Sequence, residues 1–273
     1  FSKGGMRGIY GGSNPPSLTN VNGTLFFQAF DALRGQELWK SDGTAAGTVL
    51  VKDINPGFSP SGPDRLTSVN GELYFIAVDA THGYELWKSD GTDAGTVLVR
   101  DINPGNGSSA PFLITNINGT VFFQADDGVY GGELWKSDGT TAGTVLVKDI
   151  FTGSSSSGPN WLVNVNGTLF FQALDPATGT ELWKSDGTAA GTLLVADINS
   201  GFASSDSGGL KNIGGTLFFS ASDGVHGNEL WKSDGTLAGT VQVMDINPGV
   251  NGSGPSGMTN INGTVYFQAF DGV

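Results

Sequence analysis

An all-β fold of repeated four-stranded antiparallel units is what this sequence predicts, and three observations carry the prediction. The octapeptide Glu-Leu-Trp-Lys-Ser-Asp-Gly-Thr begins at Glu37, Glu85, Glu133, Glu181 and Glu229, each 48 residues after the last. A second element, Leu25-Phe26-Phe27-Gln28-Ala29, recurs in the same phase at Leu73, Val121, Leu169, Leu217 and Val265. No stretch of the repeat has helical period or helix caps, which sets aside the helical solenoids of similar period. One supersecondary unit, copied without insertion or deletion and stacked, accounts for all three.

Residues 66–102 show how the unit is built. Leu66-Thr67-Ser68-Val69 forms a short strand A, and Asn70-Gly71 is a favoured two-residue hairpin turn. Leu73–Val78 is strand B, apolar on both faces and therefore covered on both sides. Glu85–Ser89 is strand C, Asp90-Gly91 opens a turn, and Thr96–Ile102 is strand D with β-branched alternation. Four antiparallel strands with a buried middle strand in about 48 residues make the blade of a β-propeller.

The octapeptide, matched in all five copies, resembles the bacterial ELWxxDGT repeat family, and the resemblance covers residues 18–273. It implies a β-propeller-like, secreted or surface protein, and it implies no particular activity. Repeats are expected at 18–65, 66–113, 114–161, 162–209 and 210–257 within a single domain spanning 1–273. Strands A and B occur six times but C and D five, so residues 258–273 are expected to close with 1–12, Met6–Tyr10 serving as a diverged strand D. Six blades, the last incomplete or composite, is the favoured count and five the alternative.

Composition narrows the function classes. The formal charge of −13 disfavours nucleic acid and anionic lipid, since the basic residues are not segregated. With no Cys there is neither a disulfide nor a thiolate metal site. No window approaches the roughly 20 apolar residues of a membrane span, so no membrane insertion is expected. The first residue is Phe1 rather than Met, as expected where a leader or upstream segment has been removed. A Gly/Asn/Ser/Thr-rich, Lys-poor array fits an extracellular or cell-surface location.

Strand polarity sorts the loops. The A–B and C–D turns share one face and hardly vary among the copies. The B–C and D–A loops share the other, where one position reads Arg34, His82, Tyr130, Thr178, His226. A ligand, glycan or protein, should meet that variable face, through Arg34, His82, Tyr130, Trp161 and His226. Trp161 is placed in a D–A loop, where with Phe58, Phe112 and Phe202 it gives aromatic character suited to stacking on sugar, or it is partly buried under its loop.

Acid also collects there. Asp31, Asp79, Asp127, Asp175 and Asp223 end strand B, Glu37 and its copies start strand C, and Asp53 and its copies end strand D. Oxygen-rich clusters of this kind are weak candidates for Ca²⁺. The preferred expectation is that each Asp caps its own loop and that Glu37 and its copies pair with Lys or Arg on neighbouring strands, with no cofactor required. Asp42-Gly43 and its copies are turn residues. Trp39, Trp87, Trp135, Trp183 and Trp231 are expected between adjacent blades as packing.

Near-identical copies argue against catalysis, because a reaction centre needs unlike residues converging once. The expected function is a non-catalytic binding module. A structural or adhesive element of a longer array is the alternative, and an enzyme with one site over the central channel comes third.

Overall fold

The computed structural model describes residues 18–273. The strand expected at Met6–Tyr10, and with it the closure of 258–273 on 1–12, lies outside the described residues.

Every described regular element is a strand. The first repeat contributes β1 (Leu18–Val21), β2 (Thr24–Asp31), β3 (Gly35–Ser41) and β4 (Val49–Lys52), and the second β5 (Asp64–Val69), β6 (Glu72–Ala77), β7 (Glu85–Ser89) and β8 (Val97–Arg100). The third contributes β9 (Phe112–Ile117), β10 (Thr120–Asp126), β11 (Gly132–Ser137) and β12 (Val145–Lys148). β13 (Asn160–Val165), β14 (Thr168–Asp175), β15 (Gly179–Ser185) and β16 (Leu193–Ala196) make the fourth. β17 (Gly208–Ile213), β18 (Thr216–Ser222), β19 (Asn228–Ser233) and β20 (Val241–Met244) make the fifth, and β21 (Ser256–Ile261) and β22 (Thr264–Gln268) follow. Among the described residues these form five four-stranded sheets, each paired in chain order, and one two-stranded sheet. This is a β-propeller architecture of antiparallel blades.

The chain divides into two compact units. Among the described residues the first comprises 18–129 together with 137–145, and the second comprises 130–136 and 146–273. Inside the first, Leu73, Phe75, Ala77 and Trp87 of the second blade pack on Val21, Phe26, Leu38 and Val51 of the first. Inside the second, Leu217, Phe219, Ala221 and Trp231 meet Val165, Phe170, Leu182 and Val195 in the same way. Strand B is apolar on both faces because one face serves each neighbouring blade.

Turn chemistry sets the register. Asn22 and Gly23 both take positive φ, 51° and 87°, as the two-residue hairpin demands. Asn20 Oδ1 accepts from the Gly23 N–H at 2.8 Å and locks the turn. The Ser-Asp-Gly-Thr turn is closed by its own side chains: Asp42 Oδ1 accepts from the Thr44 N–H and hydroxyl, and Ser41 Oγ accepts from the Gly43 N–H. Thr48 Oγ1 donates to the Thr44 carbonyl. The repetition of the motif is thereby explained by local hydrogen bonding.

The structure moves some boundaries. Strand A starts at Asp64, two residues early, and carries a bulge between Asp64 and Thr67. Strand D is shorter than expected, Val97–Arg100, because the chain from Asp101 turns away to meet Glu85. Trp161 lies within β13 rather than in a loop.

The Trp residues divide. Trp87, Trp135 and Trp183 are buried, whereas Trp39 and Trp231 are partly buried. Trp87 packs on the blade before it, as Trp231 does inside the second unit, and Trp39 has no preceding blade among the described residues. In the fifth blade Val243 is 46% exposed although its counterparts Val51, Val99 and Val195 are buried. Val51 packs with Leu66, Leu73, Phe75 and Trp87 of the following blade, and the sheet after the fifth has two described strands.

Candidate functional site

The acids expected on the variable face have two different fates. Glu37, Glu85, Glu133, Glu181 and Glu229 are fully buried, and none pairs with a Lys or Arg among the described residues. The Glu37 carboxylate accepts from the Ile54 N–H at 2.9 Å, the Ser61 N–H at 3.0 Å and the Ser61 hydroxyl at 2.6 Å. Around Glu229 the corresponding donors of Ile246 and Ser253 return, with the Asn247 N–H added. The expected ion pairs are corrected. The first residue of strand C points into the blade, where chain leaving strand D presents backbone N–H groups that need an acceptor. Burial pushes the Glu37, Glu85 and Glu133 carboxyls above their ordinary range, and that of Glu181 to about 7.

The aspartates at the end of strand B cap loops. Asp31 Oδ1 accepts from the Leu33 N–H, Asp79 Oδ1 from the Thr81 and His82 N–H groups, and Asp223 Oδ1 from those of Val225 and His226. Asp127 and Asp175 accept from the Val129 and Ala177 N–H groups. Among the described residues no three acid, His or Cys side chains converge to hold a metal ion.

Arg34, His82 and His226 are held inside their own loops. Arg34 Nη1 donates to Asp31 Oδ2 at 3.0 Å, with Asp53 at 3.8 Å from its Nε. His82 Nδ1 lies 2.9 Å from Asp79 Oδ2, and His226 Nδ1 lies 2.7 Å from Asp223 Oδ2. The aspartate hydrogen bond raises both imidazole pKa values. Tyr130 is 40% exposed at the corresponding position of the third repeat. These residues sit at one loop position of the first, second, third and fifth repeats.

The first unit brings other side chains of the same loop face together. A cavity of about 440 Å³ is bounded by Gln28 on β2, Gln36 on β3, Asp64 and Arg65 on β5, and Tyr84 at the foot of β7. Ile76, Ala110 and Pro111 supply an apolar wall. This volume is within the range of small-molecule sites. Arg65 occupies the strand A bulge with φ +56°. Its guanidinium carbon sits 4.0 Å above the centroid of Phe112, a cation–π contact. Asp64 Oδ1 accepts from the Arg65 N–H at 2.7 Å. Gly62 leaves room for Tyr84: a Cβ there would lie 3.1 Å from the phenol oxygen.

Of these residues only Phe112 was singled out from the sequence, yet a signal was present. The positions 48 apart from Arg65 read Leu113, Trp161, Gly209 and Gly257, unlike chemistries in an otherwise constant strand. All five take positive φ, between 56° and 65°. In the second unit Trp161 fills this place, 46% exposed, its Nε1 3.4 Å from where a Gly208 Cβ would stand. Trp161 is thus the one expected ligand residue at the inner bulge position.

Comparison with known proteins agrees with this architecture. The family model described as outer membrane protein assembly factor BamB matches residues 22–146. No curated protein matches the chain. Among solved structures, the computationally designed Ika8 protein superposes with a TM-score of 0.50 at 16% identity, covering 93% of this chain and 68% of its own. Puromycin hydrolase gives 0.49 at 13% identity, covering 92% and 41%. TolB from Acinetobacter baumannii gives 0.42 at 11%, covering 78% and 50%. The chain thus spans about two fifths of the hydrolase and half of TolB. The likeness to Ika8 is one of fold, and the chain is a repeat protein of the β-propeller class.

Proposed function

We propose that the chain is a non-catalytic, extracytoplasmic binding module of the ELWxxDGT repeat type that takes a glycan in the first-unit cavity. The observation that carries this reading is the cavity's composition. Two amides, a phenol and a guanidinium face an apolar wall of Ile76, Ala110 and Pro111. A pyranose offers the matching surfaces, hydroxyls at its rim and a C–H face. Only Asp64 among the lining residues carries a carboxyl group, whereas glycoside hydrolysis ordinarily uses two. The match to a family model named for an outer-membrane assembly factor supports a location outside the cytoplasm.

Titration calorimetry with saccharides selected on a glycan array tests the reading. Binding is expected, and Tyr84→Ala should weaken it at least tenfold with little change in melting temperature, since Tyr84 is 41% exposed. Absence of saccharide binding, or binding indifferent to Tyr84, would refute it.

A further inference from the structure

Arg65 is kept at a place that favours glycine. A non-glycine residue at φ +56° is strained, and at the corresponding positions of the last two described repeats the residue is Gly209 or Gly257. The fold therefore builds this bulge without an arginine. Strain of this kind, when the backbone does not need the side chain, points to what the side chain does.

The guanidinium is also unspent. Arg34 donates to Asp31 and Arg100 to the Thr144 carbonyl, but the Arg65 side chain donates to no acceptor among the described residues, and its Nε is buried. Phe112 holds the guanidinium from one side, which fixes its orientation, and its terminal N–H groups meet no acceptor among the described residues. A planar, fixed fork of donors matches a carboxylate in bidentate fashion. The neighbouring Asp64 carboxylate has one oxygen on the Arg65 N–H.

From these observations we infer that the cavity selects an acidic saccharide, a uronic acid unit whose carboxylate docks on Arg65 while its hydroxyls meet Gln28, Gln36 and Tyr84. This rests on the glycan reading above and gives it a ligand class. The net charge of −13 does not forbid it. At physiological ionic strength charges beyond about 8 Å are largely screened, so the local guanidinium governs.

The test compares a galacturonic acid trisaccharide with its methyl ester, which keeps the hydroxyls and removes the charge, on the wild-type chain, Arg65→Gln and Arg65→Gly. The wild type should bind the acid at least tenfold more tightly than the ester, and both variants should bind the two alike. Arg65→Gly should also melt at a higher temperature than the wild type, because glycine relieves the bulge. Equal binding of acid and ester by the wild type, or a preference that survives in Arg65→Gln, would overturn the inference and leave the glycan reading standing. Failure of both trisaccharides to bind while other glycans do would likewise overturn it, and failure of every saccharide would overturn both.

Discussion

Trp87 shows what one side chain of the repeat contributes. It is 5% exposed and packs with Phe75 against Val21, Phe26, Leu38 and Val51 of the preceding blade. Lys148 makes the same relation explicit one pair of blades later, its Nζ 5.6 Å from the ring centroid of Trp183. Truncation of such a ring leaves a cavity that two sheets cannot collapse to fill. Trp87→Ala should therefore cost about 3–5 kcal/mol. Trp39→Ala removes the same atoms from a partly exposed place and should cost about 1–2 kcal/mol. Urea denaturation of the two variants checks the contrast, and equal losses would contradict the packing order of the blades.

At the scale of the element, the Ser-Asp-Gly-Thr turn is one design with different surroundings. Gly43 and Gly139 hold the same position with φ +91° and +86°. A Cβ on Gly43 would meet nothing within 4 Å among the described residues, but one on Gly139 would lie 2.3 Å from the Tyr74 hydroxyl. That phenol is confined, and burial pushes its pKa up to about 12. Gly43→Ala should cost about 1 kcal/mol, from positive φ alone. Gly139→Ala should cost about 3 kcal/mol, strain and overpacking together. Combining Gly139→Ala with Tyr74→Phe should restore part of the difference in a thermal melt, since the phenol oxygen is the atom in the way.

For the molecule as a whole, buried acids set the response to pH. Burial raises Glu37, Glu85 and Glu133, and takes Glu181 from 4.5 to about 7, so the folded state binds these protons more tightly than the unfolded chain. Their effect is to lower stability as pH rises from about 4.5 to about 7. The Glu181 shift alone corresponds to at most about 3 kcal/mol. His82 and His226, raised by their aspartates, act in the same sense: their stabilisation is complete below 6.5 and is lost as pH climbs through the folded value. Asp90, Asp138 and Asp186, lowered by threonine hydrogen bonds, oppose this, giving stability above 3.8 that disappears in stronger acid. The melting temperature should therefore rise from pH 8 to pH 5 and fall below about pH 3.5. Glu181→Gln should melt lower overall, having one acceptor fewer, and should show a smaller slope between pH 5 and 7. An unchanged slope would mean that Glu181 does not titrate in this range.

The 48-residue phase, the Asn-Gly and Asp-Gly turns and the doubly apolar strand B were legible from residues alone. They express backbone geometry and near-neighbour hydrogen bonding, which act within a few residues: Asn20 on Gly23, Asp42 on Thr44. The loop face was legible for the same reason, because strand polarity follows from turn lengths. The fate of Glu37 was not, since its partner Ser61 is 24 residues on and an acid beside a lysine-bearing strand suggests an ion pair. Nor was the cavity, whose walls come from positions 28 and 36, then 62 to 84, then 110 and 111, of which only Gln28 and Ile76 belong to a repeated element. Sequence by itself determined the blade and its turns. Only the packing of one blade on the next decided which polar groups are buried with backbone donors, which aromatic rings are enclosed, and that the guanidinium of Arg65 meets no acceptor among the described residues, because those outcomes depend on distances between copies that identical local sequences do not encode.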